Sequence, residues 1–410
     1  MNHALDGIRV LDLSRVLAGP WASQTLADLG AEVIKVERPD QGDETRSWGP
    51  PWQQPPAGTS SASAYFLSCN RAKRSITVDF TRPEGAQLLR ELAGKSDILL
   101  ENFRPGGLAR YGLDYESLSE HHPGLIYCSI TGFGQTGPYR DRAGYDLLLQ
   151  AMGGLMSITG EAESAGGKPA KVGVALTDIL TGLYATIACQ GALSERARTG
   201  RGQYIDLALM DVQVATLANQ AMNYLVSGNV PERMGSAHPN IVPYQSFETA
   251  DRPLVITVGN DEQFARLCRV LGLTGLAEQP DYATNAQRIA NREHLIPELE
   301  AALATAGREH WLAELEAAGV PAGPVNDMAE VFADPQVRAR GLSKQLHHPQ
   351  RGQTPSIANP LCRDAQTEGA APPDLGEHTA EILREVLGRE DAEIDRLREC
   401  GAIGSDPASS

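Results

Sequence analysis

Asp178 has the most suggestive surroundings of any side chain in the sequence. It lies in Val172-Gly173-Val174-Ala175-Leu176-Thr177-Asp178-Ile179-Leu180-Thr181-Gly182, one carboxylate among apolar residues where a helix is expected to begin. Two readings fit. Asp is among the best helix N-caps, because its carboxylate accepts unpaired N–H groups of the first turn. A carboxylate held at a helix start is also a candidate nucleophile toward an activated carbonyl. On that second reading the small residues Gly173 and Gly182 would let a bulky thioester come close.

Cations form a second group. Arg38, Lys73, Arg74, Arg104 and Arg110 gather near one expected rim, although 36 Lys and Arg against 52 Asp and Glu give a formal charge of −16. A guanidinium offers phosphate two parallel hydrogen bonds, so such a cluster suits a small polyanion. Coenzyme A fits, with a ribose phosphate and a diphosphate at one end; ordinary solvated surface charges are the competing reading. A nicotinamide site fits less well. The turn Ser14-Arg15-Val16-Leu17-Ala18-Gly19-Pro20 lacks the spaced glycines that let a backbone approach a pyrophosphate. Glu37 stands where a ribose-binding acid would, but Arg38 follows it and suits a phosphorylated ribose better.

The histidines offer less. His121-His122 and His347-His348 are adjacent pairs whose side chains diverge on a helix or a strand, which disfavours a shared metal. His238 lies in the loop Gly235-Ser236-Ala237-His238-Pro239-Asn240, where it could approach a ligand. No Ser-His-Asp order, Walker loop or metal-ligand spacing stands out.

Elements must position these groups. Residues 8–13 read as a buried strand, with Gly19-Pro20 punctuating the turn after it. Residues 21–29 have helical spacing and 32–37 read as a second strand, which makes a βαβ unit with parallel strands. The alternation continues with a helix over 83–93, a strand over 97–101, a short helix over 115–120 and a strand over 125–130. This pattern predicts an α/β, Rossmann-like doubly wound sheet, with ligands at the carboxyl ends of its strands. Segments 14–19, 102–106 and 131–137 and Arg38 then share one rim. Longer apolar helices are predicted over 145–152, 178–197 and 209–226. A smaller α+β segment follows, with a strand over 254–258 and helices over 261–271, 292–304 and 309–318. Residues 349–375 read as a meandering return and 377–387 as one C-terminal helix, before an end expected to fray over 404–410. The domain reading is therefore 1–226 as the large domain, 227–243 as linker, 244–335 as the small domain, and 336–410 as a return segment with a helix packing on the large domain.

Composition narrows the classes. The acid excess supplies no global positive field for nucleic acid. Six cysteines without a Cys-x-x-Cys argue against a disulfide framework or a zinc site. No stretch of about 18 apolar residues would cross a membrane. The N-terminus lacks a basic patch followed by an apolar run, so no signal peptide is expected. The expectation is a reduced cytoplasmic enzyme with no metal.

Several segments carry a family resemblance. They are Leu5-Asp6-Gly7-Ile8-Arg9-Val10-Leu11-Asp12, Ala18-Gly19-Pro20, Leu29-Gly30-Ala31-Glu32-Val33-Ile34-Lys35-Val36-Glu37, Lys73-Arg74-Ser75-Ile76, Glu101-Asn102-Phe103-Arg104-Pro105-Gly106, Thr199-Gly200-Arg201-Gly202-Gln203, Gly319-Val320-Pro321-Ala322-Gly323-Pro324-Val325 and Gly376-Glu377-His378-Thr379. In this order and spacing the chain resembles the class III coenzyme A transferases over nearly its whole length. The resemblance implies that Asp178 attacks a donor acyl-CoA and passes through mixed-anhydride and aspartyl-CoA intermediates. It implies CoA contacts at Val16, Leu17, Arg38, the 78–81 segment with Val78 and Thr81, Asn102, Phe103, Arg104, Arg110, and the 143–146 segment with Ala143, Tyr145 and Asp146. It also implies a homodimer threaded as interlocked rings, a CoA thioester and a small carboxylic acid as substrates, and no permanently bound cofactor. Likeness to succinyl-CoA-dependent members suggests succinyl-CoA as donor and a dicarboxylic acid as acceptor.

Two departures matter. Oxalate-using members have a four-glycine loop where this chain has residues 235–240, and a Gln where it has Leu17, which disfavours formate and oxalate. The related α-methylacyl-CoA racemases have an Arg-Ala-Gly-His-Asp motif, whereas this chain reads Arg142-Ala143-Gly144-Tyr145-Asp146. A phenol, with an ordinary pKa near ~10, is a poor base at neutral pH. A non-catalytic acyl-CoA-binding protein is the third reading; it would need the cationic rim but not Asp178.

Overall fold

The computed structural model describes residues 4–53, 61–361 and 370–405. The chain divides into two compact units. The first holds residues 1–154, 172–221 and 335–410, and the second 155–171 and 222–334. Thus 155–171, which the sequence reading kept in the large domain, goes with the second unit. So does 227–243, expected as a linker; its Val242 is buried in that unit's core.

The first unit is built on six parallel strands. They are β1 (Arg9–Asp12), β2 (Glu32–Glu37), β3 (Lys73–Thr77), β4 (Ile98–Glu101), β5 (Ile126–Thr131) and β6 (Tyr204–Ala208). Their order is β3-β2-β1-β4-β5-β6, with Val10 level with both Val33 and Ile98. Both faces are buried, so the central strands are nearly continuous apolar runs. On one face Val10, Val33, Ile98 and Ile126 pack with Leu26 of α1 (Ala18–Asp28) and Ala185 and Cys189 of the helix Leu176–Thr199. On the other, Leu11, Ile34, Ile76 and Leu99 meet Leu88, Leu89, Ile382 and Ile394. Strand order reverses between β1 and β4, which opens a crevice at their carboxyl ends.

Several local expectations are corrected. Helix α1 begins at Ala18, not residue 21, so Gly19-Pro20 is its first turn. Proline there costs little, since the N–H it lacks would have no intrahelical acceptor. Glycine at 19 is required by close approach: a Cβ would stand 2.1 Å from Ser14 Oγ. Strands β3 and β6 were not anticipated, because one begins with Lys73-Arg74 and the other is a half-exposed edge. The single helix expected over 209–226 is two, Leu209–Ala215 and Ala218–Ser227, parted where Ala218 takes a φ of 47°. The meander is partly a hairpin, Ser343–His348 with Gly352–Ile357, and the C-terminus has two helices, Thr379–Leu387 and Asp391–Glu399. Residues 362–369, including Cys362, and 406–410 of the expected frayed end lie outside the described residues.

The second unit has a three-stranded antiparallel sheet, with Leu254–Thr257 between Tyr244–Phe247 and Ala322–Pro324. Helices Asp261–Val270, Arg292–Leu303 and Arg308–Ala317 bury Phe264, Leu299, Trp311 and Leu315 around it. No helix among the described residues is long and apolar enough to cross a membrane.

Candidate active site

The crevice holds a cavity of about 630 Å³ within the first unit, a size suited to a small organic ligand. Four connections deliver its walls: the β1–α1 turn, the end of β2, the loop after β4 and the segment after β5. Val16, Leu17, Arg38, Thr81, Asn102, Phe103, Arg104, Arg110, Ala143, Tyr145 and Asp178 all line it. Val78 does not; it is buried beneath, beside Arg38, Phe80 and Phe103. Asp146 does not line it either, and its carboxylate has another task.

Three further helices frame Asp178: α2 (Ala64–Cys69), α4 (Asp146–Met152) and α5 (Leu176–Thr199), with α3 (Pro83–Ala93) behind the sheet. Asp178 is the third residue of α5, and the N-cap position belongs to Ala175, which makes no side-chain hydrogen bond. The cap reading of Asp178 is therefore wrong. Asp146 caps the helix from α4 instead: its Oδ1 accepts the N–H of Thr177 at 2.9 Å and of Asp178 at 3.3 Å. Burial and then the Asp146 charge push the Asp178 carboxyl up to about 7. Gly182 serves packing rather than substrate access. It is buried where α5 meets α1, and a Cβ there would lie 2.7 Å from the Ala18 carbonyl oxygen.

The β1–α1 turn is clamped by two side chains. Asn102 reads the Arg15 backbone at both ends, accepting its N–H at 2.9 Å and donating to its carbonyl at 2.7 Å. Asp43 accepts the Val16 N–H at 3.2 Å. Val16 is held at a φ of 71°, a left-handed conformation that a β-branched residue adopts only at a cost of about 1–3 kcal/mol. Asp43 in turn ion-pairs with Lys35 at 2.9 Å, both side chains fully buried. Burial opposes its charge, yet Lys35 and Thr45 hold the Asp43 carboxyl down to about 2.

The cations separate into two sets. Arg38, Arg104 and Arg110 face the cavity, joined by Arg15 and Arg142, which sequence reasoning missed. Arg15 sits in the β1–α1 turn, at the carboxyl end of a strand, and that position was the available signal. Lys73 and Arg74 start β3 at the opposite end of the sheet and are spent in ion pairs. Lys73 is buried against Asp12 at 3.3 Å, and burial lowers its amine to about 8; Arg74 pairs with Glu32, Glu381 and Glu385. Glu37 is no ribose ligand, since Arg46 holds both of its oxygens at 2.7 Å. A second cavity of about 710 Å³ shares Arg38 and adds Arg82 and Arg398.

His238 lies in the second unit, where its Nδ1 accepts the Asn240 N–H at 3.0 Å. His348, Asp374 and Glu377 bring ligating atoms together, but the chemistry is wrong for a metal. The His348 Nδ1 accepts backbone N–H groups from Gln350 and Arg351 at 3.2 and 3.1 Å, so the ring proton sits on Nε2, facing the carboxylates. Arg351 also occupies Asp374. The group is a polar pin for the hairpin.

Comparison with known proteins gives the family. Residues 5–379 match the CoA-transferase family III. The chain is 51% identical over 385 residues to succinate–glutarate CoA-transferase of Agrobacterium fabrum, covering 93% of this chain and 95% of the relative. It is 46% identical over 402 residues to human succinyl-CoA:glutarate CoA-transferase, covering 97% and 90%. Among solved structures, a CAIB/BAIF family protein from Brucella suis superposes with a TM-score of 0.83 at 51% identity, over 94% of this chain and all of the other.

Proposed function

The chain belongs to CoA-transferase family III, and from that premise we propose that it moves coenzyme A from succinyl-CoA to a dicarboxylic acid, glutarate first among them, through Asp178. The observation that carries this reading is a half-buried carboxylate, raised to about 7, set in the wall of an arginine-lined cavity. The choice of acids follows the relatives, which are named for succinate or succinyl-CoA and glutarate.

The chemistry needs no water and no net proton. An Asp178 oxygen attacks the succinyl thioester carbonyl, the C–S bond breaks, and CoA thiolate leaves an aspartyl succinyl anhydride. The thiolate then attacks the aspartyl carbonyl, expelling succinate and forming aspartyl-CoA. Glutarate attacks that thioester and releases thiolate, which takes the glutaryl carbonyl from the second anhydride and frees Asp178. Covalent catalysis thereby divides one exchange between poor nucleophiles into easier steps. Arg38, which lines both cavities, would take the phosphates of CoA. A dicarboxylate's distal charge would find Arg142 in the same wall, where Arg15 is already paired with Glu44.

Racemisation is poorly supported. Tyr145 stands where the racemase motif has His, and the Asp146 oxygens are engaged in capping and with Gln150. The partner proposed for assembly is a second copy of the chain, as interlocked rings. Its support is apolar surface left open in each unit: Ile187 on α5 is 67% exposed, and Leu225, Val226 and Met328 in the second unit are 71, 81 and 76% exposed. Light scattering should give twice the chain mass.

The test is exchange of label from glutarate into glutaryl-CoA with succinyl-CoA as donor, followed by hydroxylamine trapping of the enzyme after donor addition. Wild type should exchange and be modified at Asp178. Exchange without modification at Asp178 would overturn its role; deuterium uptake at the α-carbon of 2-methylacyl-CoA without acyl exchange would favour the racemase reading.

A further inference from the structure

Helix α5 begins in an unusual way. Its own N-cap residue, Ala175, has no side chain to offer. The first-turn donors are taken by Asp146 on α4, whose Oδ1 accepts from Thr177 and Asp178. That carboxylate is itself fixed, because Gln150 one turn along α4 donates its Nε2 to Oδ2 at 2.6 Å. Fully buried Gln150 also accepts the Val172 N–H at 2.9 Å, and Thr177 Oγ1 donates to Gln213 Oε1 at 2.6 Å. The approach to the nucleophile is therefore held at both ends of the 172–178 segment.

We propose that Asp146 is a positioning residue for Asp178: it caps the nucleophile's helix from α4, takes the N–H donors that would otherwise stabilise an ionised Asp178, and sets a second negative charge beside it. The proposal rests on Asp178 being the nucleophile. A carboxylate at a bare helix N-terminus would be stabilised by the unpaired N–H groups and the helix dipole, and so would be a weaker nucleophile. Here those donors are already occupied. Once Asp178 is acylated it is neutral and the repulsion with Asp146 disappears, so the arrangement favours the covalent intermediates over the free carboxylate.

The other groups facing Asp178 do not supply this effect. Tyr65 on α2 interacts with it electrostatically, but burial and then the Asp178 charge push that phenol up to about 12, so it stays neutral. The cavity arginines, Arg15, Arg38, Arg104, Arg110 and Arg142, line the same space, yet the carboxyl remains well above the ordinary range. Burial raises it most, and Asp146 is the charge on a neighbouring element that raises it further.

The experiment compares wild type with Asp146→Asn, which keeps an acceptor oxygen and loses the charge, and with Asp146→Glu, which keeps the charge. Two readouts are taken: the Asp178 carboxyl titration by infrared difference against Asp178→Asn, and the pH profile of kcat/KM for succinyl-CoA. In Asp146→Asn the titration and the acid limb should both move down by about one pH unit. The plateau should fall and less hydroxylamine-trapped enzyme should accumulate, so the two profiles cross. Asp146→Glu should retain the raised titration, and it carries the test if Asp146→Asn does not fold: an ordinary carboxylate titration in a folded Asp146→Glu would overturn the proposal. An unmoved Asp178 titration in Asp146→Asn, or a uniform loss of rate at every pH, would also overturn it. If the titration moves but Asp178→Asn still transfers CoA, the nucleophile assignment fails while the coupling stands.

Discussion

Asp178→Asn should abolish transfer and, above neutral pH, make the protein more stable. The carboxyl has an ordinary value of 3.8 and is raised to about 7 in the fold, by burial and then by Asp146. Between those values the folded protein keeps a proton that the unfolded chain releases, so ionisation stabilises the unfolded state and stability falls as pH rises through that window. Above the folded value the loss is complete. Three pH units correspond to a ceiling of about 4 kcal/mol, at ~1.36 kcal/mol per unit. At pH 5 the wild type has lost only the part accrued since 3.8, roughly 2 kcal/mol on the same scale, and at pH 8 nearly all of it. The neutral amide has no such term. The stability gap between Asp178→Asn and wild type should therefore widen by roughly 2 kcal/mol from pH 5 to pH 8, once solvent screening at a half-buried side chain is taken into account. Parallel urea unfolding at the two pH values measures this difference, because every other titrating group is common to both proteins. A gap that stays constant or narrows would mean that the helix N-terminus stabilises the Asp178 carboxylate, and the account of the site would be wrong at its centre.

Transfer by the wild type should rise with pH through about 7, as Asp178 ionises; a rate flat between pH 5.5 and 8.5 would contradict this. Arg38→Ala should weaken CoA binding by about tenfold to a hundredfold, the worth of a charge-assisted hydrogen bond of ~1.5–3 kcal/mol. Unchanged affinity by calorimetry would return Arg38 to the surface charges. Asp43→Ala removes the direct partner of buried Lys35, leaving it only the neighbouring charges of Asp12 and Glu37 and the Ser14 carbonyl, and should destabilise by about 3 kcal/mol, whereas Asp43→Leu with Lys35→Met should recover much of the loss. Equal unfolding midpoints for the single and double variants would refute the buried-pair argument. Gly182→Ala should cost about 1–3 kcal/mol, since its Cβ would press on the Ala18 carbonyl; a thermal midpoint equal to wild type would show that α1 and α5 can part without cost.

The alternation of apolar strands with amphipathic helices was legible along the sequence because each buried run and each helical face is written locally. From it follow the parallel sheet, the rim where its cavity opens and most elements of the small unit. Asp178 was equally visible as a lone carboxylate in apolar surroundings. Whether it caps its own helix was not legible, because a capping Asp and an Asp held at a helix start for chemistry have the same one-dimensional signature; the fold shows that Asp146, 32 residues away, makes the cap. The cations divide for the same reason. Lys73 and Arg38 look alike in sequence, but parallel registry puts Lys73 at the start of β3 against buried Asp12 and leaves Arg38 past the end of β2, facing the cavity. Gly182 could be read as room for a substrate until α1 was seen against it. Secondary structure depends on neighbours in the chain and can be read from periodicity. Which charge is paired, which donor is already taken and which glycine is crowded depend on residues brought close only by the fold.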